Sequence, residues 1–471
     1  MSPSLALFVW LILLLALLLF DPAKEPKTSW ALWVPTIWMF IIASRLPAQW
    51  LGGQMGLTAE AFEEGNPLDR SVFLVLILLA IGILVARSFK WRSFFARNIA
   101  LTMFISYALV SVCWSDFAFV AFKRWFRDLG NYLVILVALS DPRPMEAVRT
   151  LFRRLGYLLI PLCLLLAKYY PGIGMDYNNW TGTAEYCGVA TSKNGLGAVC
   201  LVSGLFFFWD TIARWSNRRE SRTGQIILLN LAFLAMTLHL LHLANSQTSR
   251  VCLLIGCLVI LAAHSKACRR NPRSLTIAIP ALLCANLILA FGFGVDIKGM
   301  VAEAVGRNPN LTDRTLIWKI LLDTHTNPLV GTGYESFWLG SRLDWLWQQK
   351  ETAGLNEAHD GYLEVYLNLG IIGLSLLVGF LITSYRNICK ALTYSSSFAS
   401  FALALWTVVL FYNITEAAFK WHFMWVTLLS AAIAVPRYAE HALRPVSAFD
   451  DANATEQFAQ LPPEMEAVGW W

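Results

Sequence analysis

Gly306-Arg307-Asn308-Pro309-Asn310-Leu311-Thr312-Asp313-Arg314 leads through Asn327-Pro328-Leu329-Val330-Gly331-Thr332-Gly333-Tyr334 to Ala358-His359-Asp360-Gly361-Tyr362-Leu363. These residues belong to one polar segment, from about Gly294 to Glu364, set between apolar blocks on both sides. Loops longer than about 12–15 residues are uncommon in compact proteins unless they are functional or disordered. This one carries Trp, Tyr, Leu and Ile throughout, which predicts a folded segment that holds the chemistry.

Outward from that segment the chain is apolar. Its 471 residues are 57% hydrophobic and 14% charged, with a mean hydropathy of +0.54. Soluble domains carry about 25% charged residues, and a membrane-spanning helix needs about 20 mostly apolar ones. The blocks do not alternate polar and apolar residues as a β-barrel requires. The expected fold is all-α: a polytopic integral membrane protein of about 12–13 transmembrane helices with one large folded extracytoplasmic loop. Candidate spans are 4–20, 30–45, 70–87, 98–115, 128–140, 155–168, 194–210, 225–244, 251–264, 275–294, 365–384, 396–413 and 421–436. The predicted organisation is N-terminal transmembrane helices over 1–294, the large loop over 295–364, C-terminal transmembrane helices over 365–440 and a mobile cytoplasmic tail over 441–471. That tail is polar and rich in Ala, Glu and Pro. The N-terminal block lacks a basic leader and a small-residue cleavage site, so it reads as a retained span.

The net charge of +6 does not point to nucleic acid. Basic residues cluster in short loops, at Arg87 to Arg97, Arg143 to Arg154, Arg214 to Arg222 and Lys266 to Arg273. The positive-inside rule makes those loops cytoplasmic. Alternation then puts 46–69, 116–127, 169–193, 245–250, 295–364 and 414–420 together on the outer face. The nine cysteines contain no CxxC pair, so neither a disulfide framework nor a zinc signature is present.

Several cations fall on the predicted outer face: Arg124, Arg127, Lys193, Arg250, Arg307 and Arg314. Taken singly, each is explained as an interfacial side chain that snorkels to water. Taken together they suit a phosphate or diphosphate, because Arg matches phosphate oxygens with two parallel hydrogen bonds. His239 and His242 share a helix face, but no third metal ligand accompanies them. His359 precedes a span, with Glu357 and Asp360 beside it, and is the candidate general base; Asp360 is its rival.

In order, these motifs resemble the O-antigen ligase and polysaccharide polymerase superfamily. His359 to Leu363, followed by Gly370-Ile371-Ile372-Gly373, is similar to the end of its large periplasmic loop. Asn327 to Phe337 resembles the upstream Gly-x-Gly turn. Gly306 to Arg314 with Trp318 is closest to the exopolysaccharide-polymerase branch. Ser192-Lys193-Asn194 and Ser246 to Arg250 resemble two further landmarks, and the likeness covers roughly 120–435. Asp360 departs from the Asn usual in the family after the His, and Asp313 stands where Gly is common.

The resemblance implies a GT-C-like helical fold in the bacterial inner membrane with its active site on the periplasmic side. It implies glycosyl transfer from an undecaprenyl-diphosphate-linked glycan to a sugar hydroxyl, without a metal or other cofactor. The acceptor is a second glycan for a polymerase, the favoured reading, or lipid A–core for a ligase. His359 and Asp360 become the catalytic pair, and Arg250, Arg314, Arg124, Arg127, Lys193 and Arg307 the diphosphate-binding set. Membrane lipid, a chain-length regulator and a flippase of the same pathway are the implied partners. A transporter or flippase is the reading from another class. It would place its ionisable residues near mid-membrane, whereas here they collect at the outer ends of the spans.

Overall fold

The computed structural model describes residues 1–23, 28–53, 65–177, 182–265, 277, 279, 312–394, 396–420 and 422–443. Their helices are α1 (Pro3–Phe20), α2 (Trp33–Ala43), α3 (Pro67–Ala86), α4 (Trp91–Arg97), α5 (Ile99–Val110), α6 (Ala118–Leu139), α7 (Pro144–Tyr169), α8 (Lys193–Arg214), α9 (Ser221–Ala244) and α10 (Gln247–His264). After the long segment begin α11 (Thr312–Asp323), α12 (Gly340–Gln348), α13 (Gly361–Tyr394), α14 (Ser396–Tyr412) and α15 (Phe423–Leu443). A small antiparallel hairpin, β1 (Met175–Tyr177) with β2 (Ala184–Tyr186), interrupts the helices.

The all-α membrane architecture stands. Among the described residues seven helices are long and apolar enough to cross a membrane: α1, α3, α7, α8, α9, α10 and α13. The pair α4 and α5 makes an eighth if its 98° bend at Asn98 is counted as one broken span. The expected spans at 30–45, 396–413 and 421–436 form shorter apolar helices. The one expected at 128–140 is the second half of α6, whose first half carries Lys123, Arg124 and Arg127 and is too polar to count with the rest. The candidate at 275–294 and the tail beyond 443 lie outside the described residues.

Helix α8 is the structural axis, packed on α7, α9 and α10, with most of its apolar stretch buried. At the opposite extreme, α1 buries only Ala6 and Leu14 and presents its leucines outward, as a lipid-facing helix does. From Thr312 onward the long polar segment is folded. Its helices α11 and α12 close a separate apolar cluster of Ile317, Leu321, Phe337, Trp338, Leu343, Leu346, Ala358 and Leu367.

One backbone accounting explains how that segment is docked. Helix α13 breaks at Gly370, whose φ of 63° is a left-handed value that side chains disfavour. The groups freed by the break bond to the turn 327–333: Ile371 N donates to Pro328 O at 2.9 Å, Ile372 N to Leu329 O at 3.2 Å, and Gly333 N to Asn368 O at 2.9 Å. A Cβ on Gly370 would stand 2.2 Å from Leu329 O. The Gly-x-Gly turn read from sequence is thus the piece that satisfies a broken helix.

Segments expected on the outer face touch one another. Arg45 donates to Ile173 O and Gly188 O, and Arg124 to Glu335 O. Asn194 donates to Glu416, and Thr248 bonds Thr415. These contacts join Arg45 to segment 169–193, segment 116–127 to the long segment, and Asn194 and segment 245–250 to segment 414–420. At the Asp210 end of α8 Arg149, Arg153 and Arg214 pair with Asp210, and Arg87 pairs with Asp141; the basic loop from Lys266 to Arg273 lies outside the described residues.

Candidate functional site

Four chain segments converge on Thr415 and Glu416, in the turn between α14 and α15. Asn194, on the first turn of α8, donates to Glu416 Oε1 at 2.8 Å. Arg314, on the first turn of α11, reaches Oε1 at 3.3 Å and donates to the neighbouring Thr415 carbonyl. Ser246, at the start of α10, donates to Asn194 Oδ1 at 3.4 Å, and Thr248 hydrogen-bonds Thr415 at 2.9 Å. His359, just before α13, places Nδ1 3.9 Å from Glu416 Oε2. Each element arrives by its N-terminus, where unpaired N–H groups leave partial positive charge.

Local sequence explains these placements. The Ser192 side chain accepts from Gly195 N at 3.1 Å and starts α8. Asn245 takes a left-handed conformation that ends α9 and reverses the chain into Ser246. Asp360 Oδ1 accepts from Tyr362 N and Leu363 N, both at 2.9 Å, and caps α13. Gly361 packs so closely on Asn413 that an added Cβ would stand 1.9 Å from its Oδ1. Trp318 Nε1 donates to Ala358 O at 2.9 Å, tying α11 and hence Arg314 to the segment carrying His359.

His359 has a φ of 50°, a strained value for a residue with a side chain and of the kind found at functional sites. Its buried Nδ1 lies 3.1 Å from Glu357 Oε1, yet neither that oxygen nor Glu416 is aligned for a hydrogen bond. Burial opposes its charge, but the carboxylates of Glu357 and Glu416 outweigh this and raise the imidazole to about 9. Burial likewise works against Glu357, but His359 and Lys420 hold its carboxyl down at about 2. The resting site therefore contains an imidazolium between two carboxylates. Lys420 Nζ bridges Glu357, at 3.6 Å, and Glu364, at 3.5 Å. Glu364 in turn accepts from Trp338 Nε1 and from Ala358 N, so it clamps the residue next to His359.

Among the described residues Glu357, His359 and Glu416 are also the set that could hold a metal ion, their ligand atoms lying within 4.8 Å of one another. Lys420 beside Glu357 and Arg314 beside Glu416 already supply positive charge to both carboxylates. A divalent cation would have to displace or repel them.

Of the residues singled out in the sequence, the structure brings His359 and Arg314 together. Lys193 is paired at 2.6 Å with Glu185 of the hairpin, and its neighbour Asn194 makes the contact to Glu416 instead. Arg250 lies one turn into α10 and donates to the His242 carbonyl at 2.9 Å. It lines an apolar groove of about 370 Å³ with Leu238, Leu241, Leu253 and Leu254. Arg124 donates to Glu335 O at 2.5 Å. Arg127 pairs with Asp128, which also accepts from Tyr334 OH at 2.7 Å. Both arginines thus lie where α6 grips the Gly-x-Gly turn. Arg307 lies outside the described residues. Sequence reading missed Glu416 and Lys420; the available signal was an acid and a base in the short outer segment 414–420 between apolar helices.

Comparison with known proteins adds to this geometry. The family model described as O-Antigen ligase matches residues 231–378, which contain Arg250, Arg314 and His359. The chain is 24% identical to the exopolysaccharide production protein ExoQ of Rhizobium meliloti (strain 1021), over 63% of this chain and 67% of that one. Both findings support the O-antigen ligase and polysaccharide polymerase superfamily, in its ExoQ-like branch.

Proposed function

We propose that this chain, with the site of that superfamily at one end of its helix bundle, moves a glycan from a lipid diphosphate to a sugar hydroxyl. The observation that carries the reading is the convergence of Arg314, His359 and two further helix N-termini, those of α8 and α10, on Thr415 and Glu416. That arrangement concentrates positive charge where a leaving diphosphate needs it. Fixed charges aimed at developing charge are usually the largest catalytic term.

In the proposed reaction the bond from the anomeric carbon to the diphosphate oxygen breaks as the acceptor oxygen bonds that carbon. The diphosphate leaves onto Arg314 and Arg250, with Arg124, Arg127, Lys193 and Arg307 as lesser contributors. The apolar groove beside Arg250 suits the lipid tail of such a donor. The acceptor proton passes to the Glu357–His359–Glu416 cluster. At neutral pH that cluster is an imidazolium between two carboxylates, so the proton is taken by the fraction of the enzyme with a neutral imidazole, which grows as pH approaches 9. His359 is its exchanging member, because its Nδ1 is the atom left without a hydrogen bond. Asp360 contributes by capping α13 and fixing the backbone at His359. The charge balance of the site supports transfer without a metal.

The favoured outcome is polymerisation of an exopolysaccharide or O-antigen at the periplasmic face of a bacterial inner membrane. The name of the Rhizobium relative supports that choice over the ligase reading. A deletion strain tests it through its lipid-linked glycans. Single repeat units left unextended support a polymerase. Finished chains piling up on the lipid carrier indicate a ligase, and an unchanged profile removes the enzyme reading.

A further inference from the structure

At the end of the bundle opposite His359, α1, α2 and α7 enclose a cavity of about 420 Å³. Asn194 and Asp210 mark the two ends of α8, 16 residues apart and so about 24 Å along the helix. The cavity lies beside the Asp210 end, far from the chemistry. Its apolar wall comes from Leu15, Leu18 and Leu19 of α1, the candidate span that buries least of itself among the described residues. Its polar wall holds Arg153 and Arg154.

The two arginines differ. Arg153 is saturated by Asp210, Asn230 and Tyr157. Arg154 stacks its guanidinium over the Trp33 ring at 4.7 Å, yet its buried Nη1 has no hydrogen-bond partner. A buried cationic donor without an acceptor is costly. The surroundings do not neutralise it. Arg149, Arg153 and Arg214 all pair with Asp210, and together with Arg154 they make four positive charges. Among the described residues Asp210 and Asp21 supply two negative ones, and the Asp21 carboxylate accepts from Tyr157 OH at 3.0 Å and Ala23 N at 2.8 Å.

We propose that this cavity binds the phosphate of an anionic phospholipid, with Arg154 as its principal ligand and the acyl chain along the leucines of α1. A phosphodiester provides the oxygen acceptors that Arg154 lacks and offsets part of the charge excess. Basic pockets between transmembrane helices bind lipid headgroups in this way. The apolar wall distinguishes a lipid from a free anion, which would gain nothing from it.

The test uses the full chain, delipidated in detergent, with thermal stability followed as phosphatidylglycerol, phosphatidylcholine or inorganic phosphate is added. Phosphatidylglycerol should stabilise the protein at concentrations where phosphatidylcholine does not. In Arg154→Gln its apparent affinity should fall about tenfold or more, since a hydrogen bond to a charged group is lost. Arg154→Lys should fall between the two. Glycosyl transfer by Arg154→Gln assayed in phosphatidylcholine bilayers should match wild type, separating this site from the catalytic one. An equal phosphatidylglycerol response in wild type and Arg154→Gln overturns the proposal. Inorganic phosphate matching phosphatidylglycerol overturns the lipid as occupant.

Discussion

The two ends of α8 both carry a buried carboxylate among cations, and they use it differently. Asp210 is fully enclosed and takes Arg149, Arg153, Arg214 and the amide of Asn230. Its acceptor positions are filled, and the arrangement locks α7, α8 and α9 together. At the other end Glu416 takes Asn194 and Arg314, but His359 stands 3.9 Å away, strained in backbone and unbonded at Nδ1. A saturated buried network fixes structure. An unsaturated one, held in place by caps, clamps and a broken helix, leaves a group able to exchange a partner.

Substitutions can break that contrast. His359→Ala is expected to have the largest effect, lowering turnover by about 10²–10⁴-fold while donor binding changes little. Steady-state kinetics with a purified lipid-diphosphate donor decide it, and an active variant would move the chemistry elsewhere. Asp210→Asn should do the reverse. Uncompensated arginines at the other end should cost about 3–5 kcal/mol of stability, with turnover per folded molecule preserved. Denaturation measured beside activity separates the two outcomes.

Arg314→Lys sharpens the comparison further, because charge is kept and the planar fork lost. A loss of about 1.5–3 kcal/mol, seen as a raised KM for the donor or a lowered kcat/KM, is expected. A variant indistinguishable from wild type would release Arg314 from donor binding.

The pH dependence gives a smaller signal with a defined sign. The imidazole of His359 is raised to about 9 in the folded protein, from its ordinary value of 6.5. Its contribution to stability is complete below about 6.5 and is lost as pH rises through 9. Glu357, lowered to about 2 from 4.5, contributes above 4.5 and loses that contribution as pH falls through 2. The stability difference between wild type and His359→Ala, followed from pH 6 to pH 10, should therefore shrink at the alkaline end. Asp360→Asn should change least, within about 0.5 kcal/mol, because Asn caps a helix as well as Asp does. A dead Asp360→Asn would make Asp360 more than a cap.

Much of this was legible in the chain. Apolar blocks of span length and basic loops recur in alternation, so composition and position alone gave the membrane class. The Gly331-Thr332-Gly333 turn and His359 stood out locally as a turn and as a loop histidine next to a span. The number of full-length helices was less legible. The 98° bend at Asn98 and the charged first half of α6 depend on how neighbours pack, and hydropathy does not register that.

The sequence by itself determined the membrane class and which residue types are available for chemistry. Periodicity, length and charge bias are one-dimensional quantities, and they suffice for that. Only the tertiary structure decided which of those residues meet. It separated Lys193 from Asn194 by turning one toward Glu185 and the other toward Glu416. It made Asp360 a cap, set Arg124 and Arg127 against the Gly-x-Gly turn, and brought Glu416 within reach of Arg314 across 101 intervening positions. Such pairings depend on how helices are rotated and offset against one another. That is fixed by the packing of the whole bundle, and no short stretch of the chain encodes it.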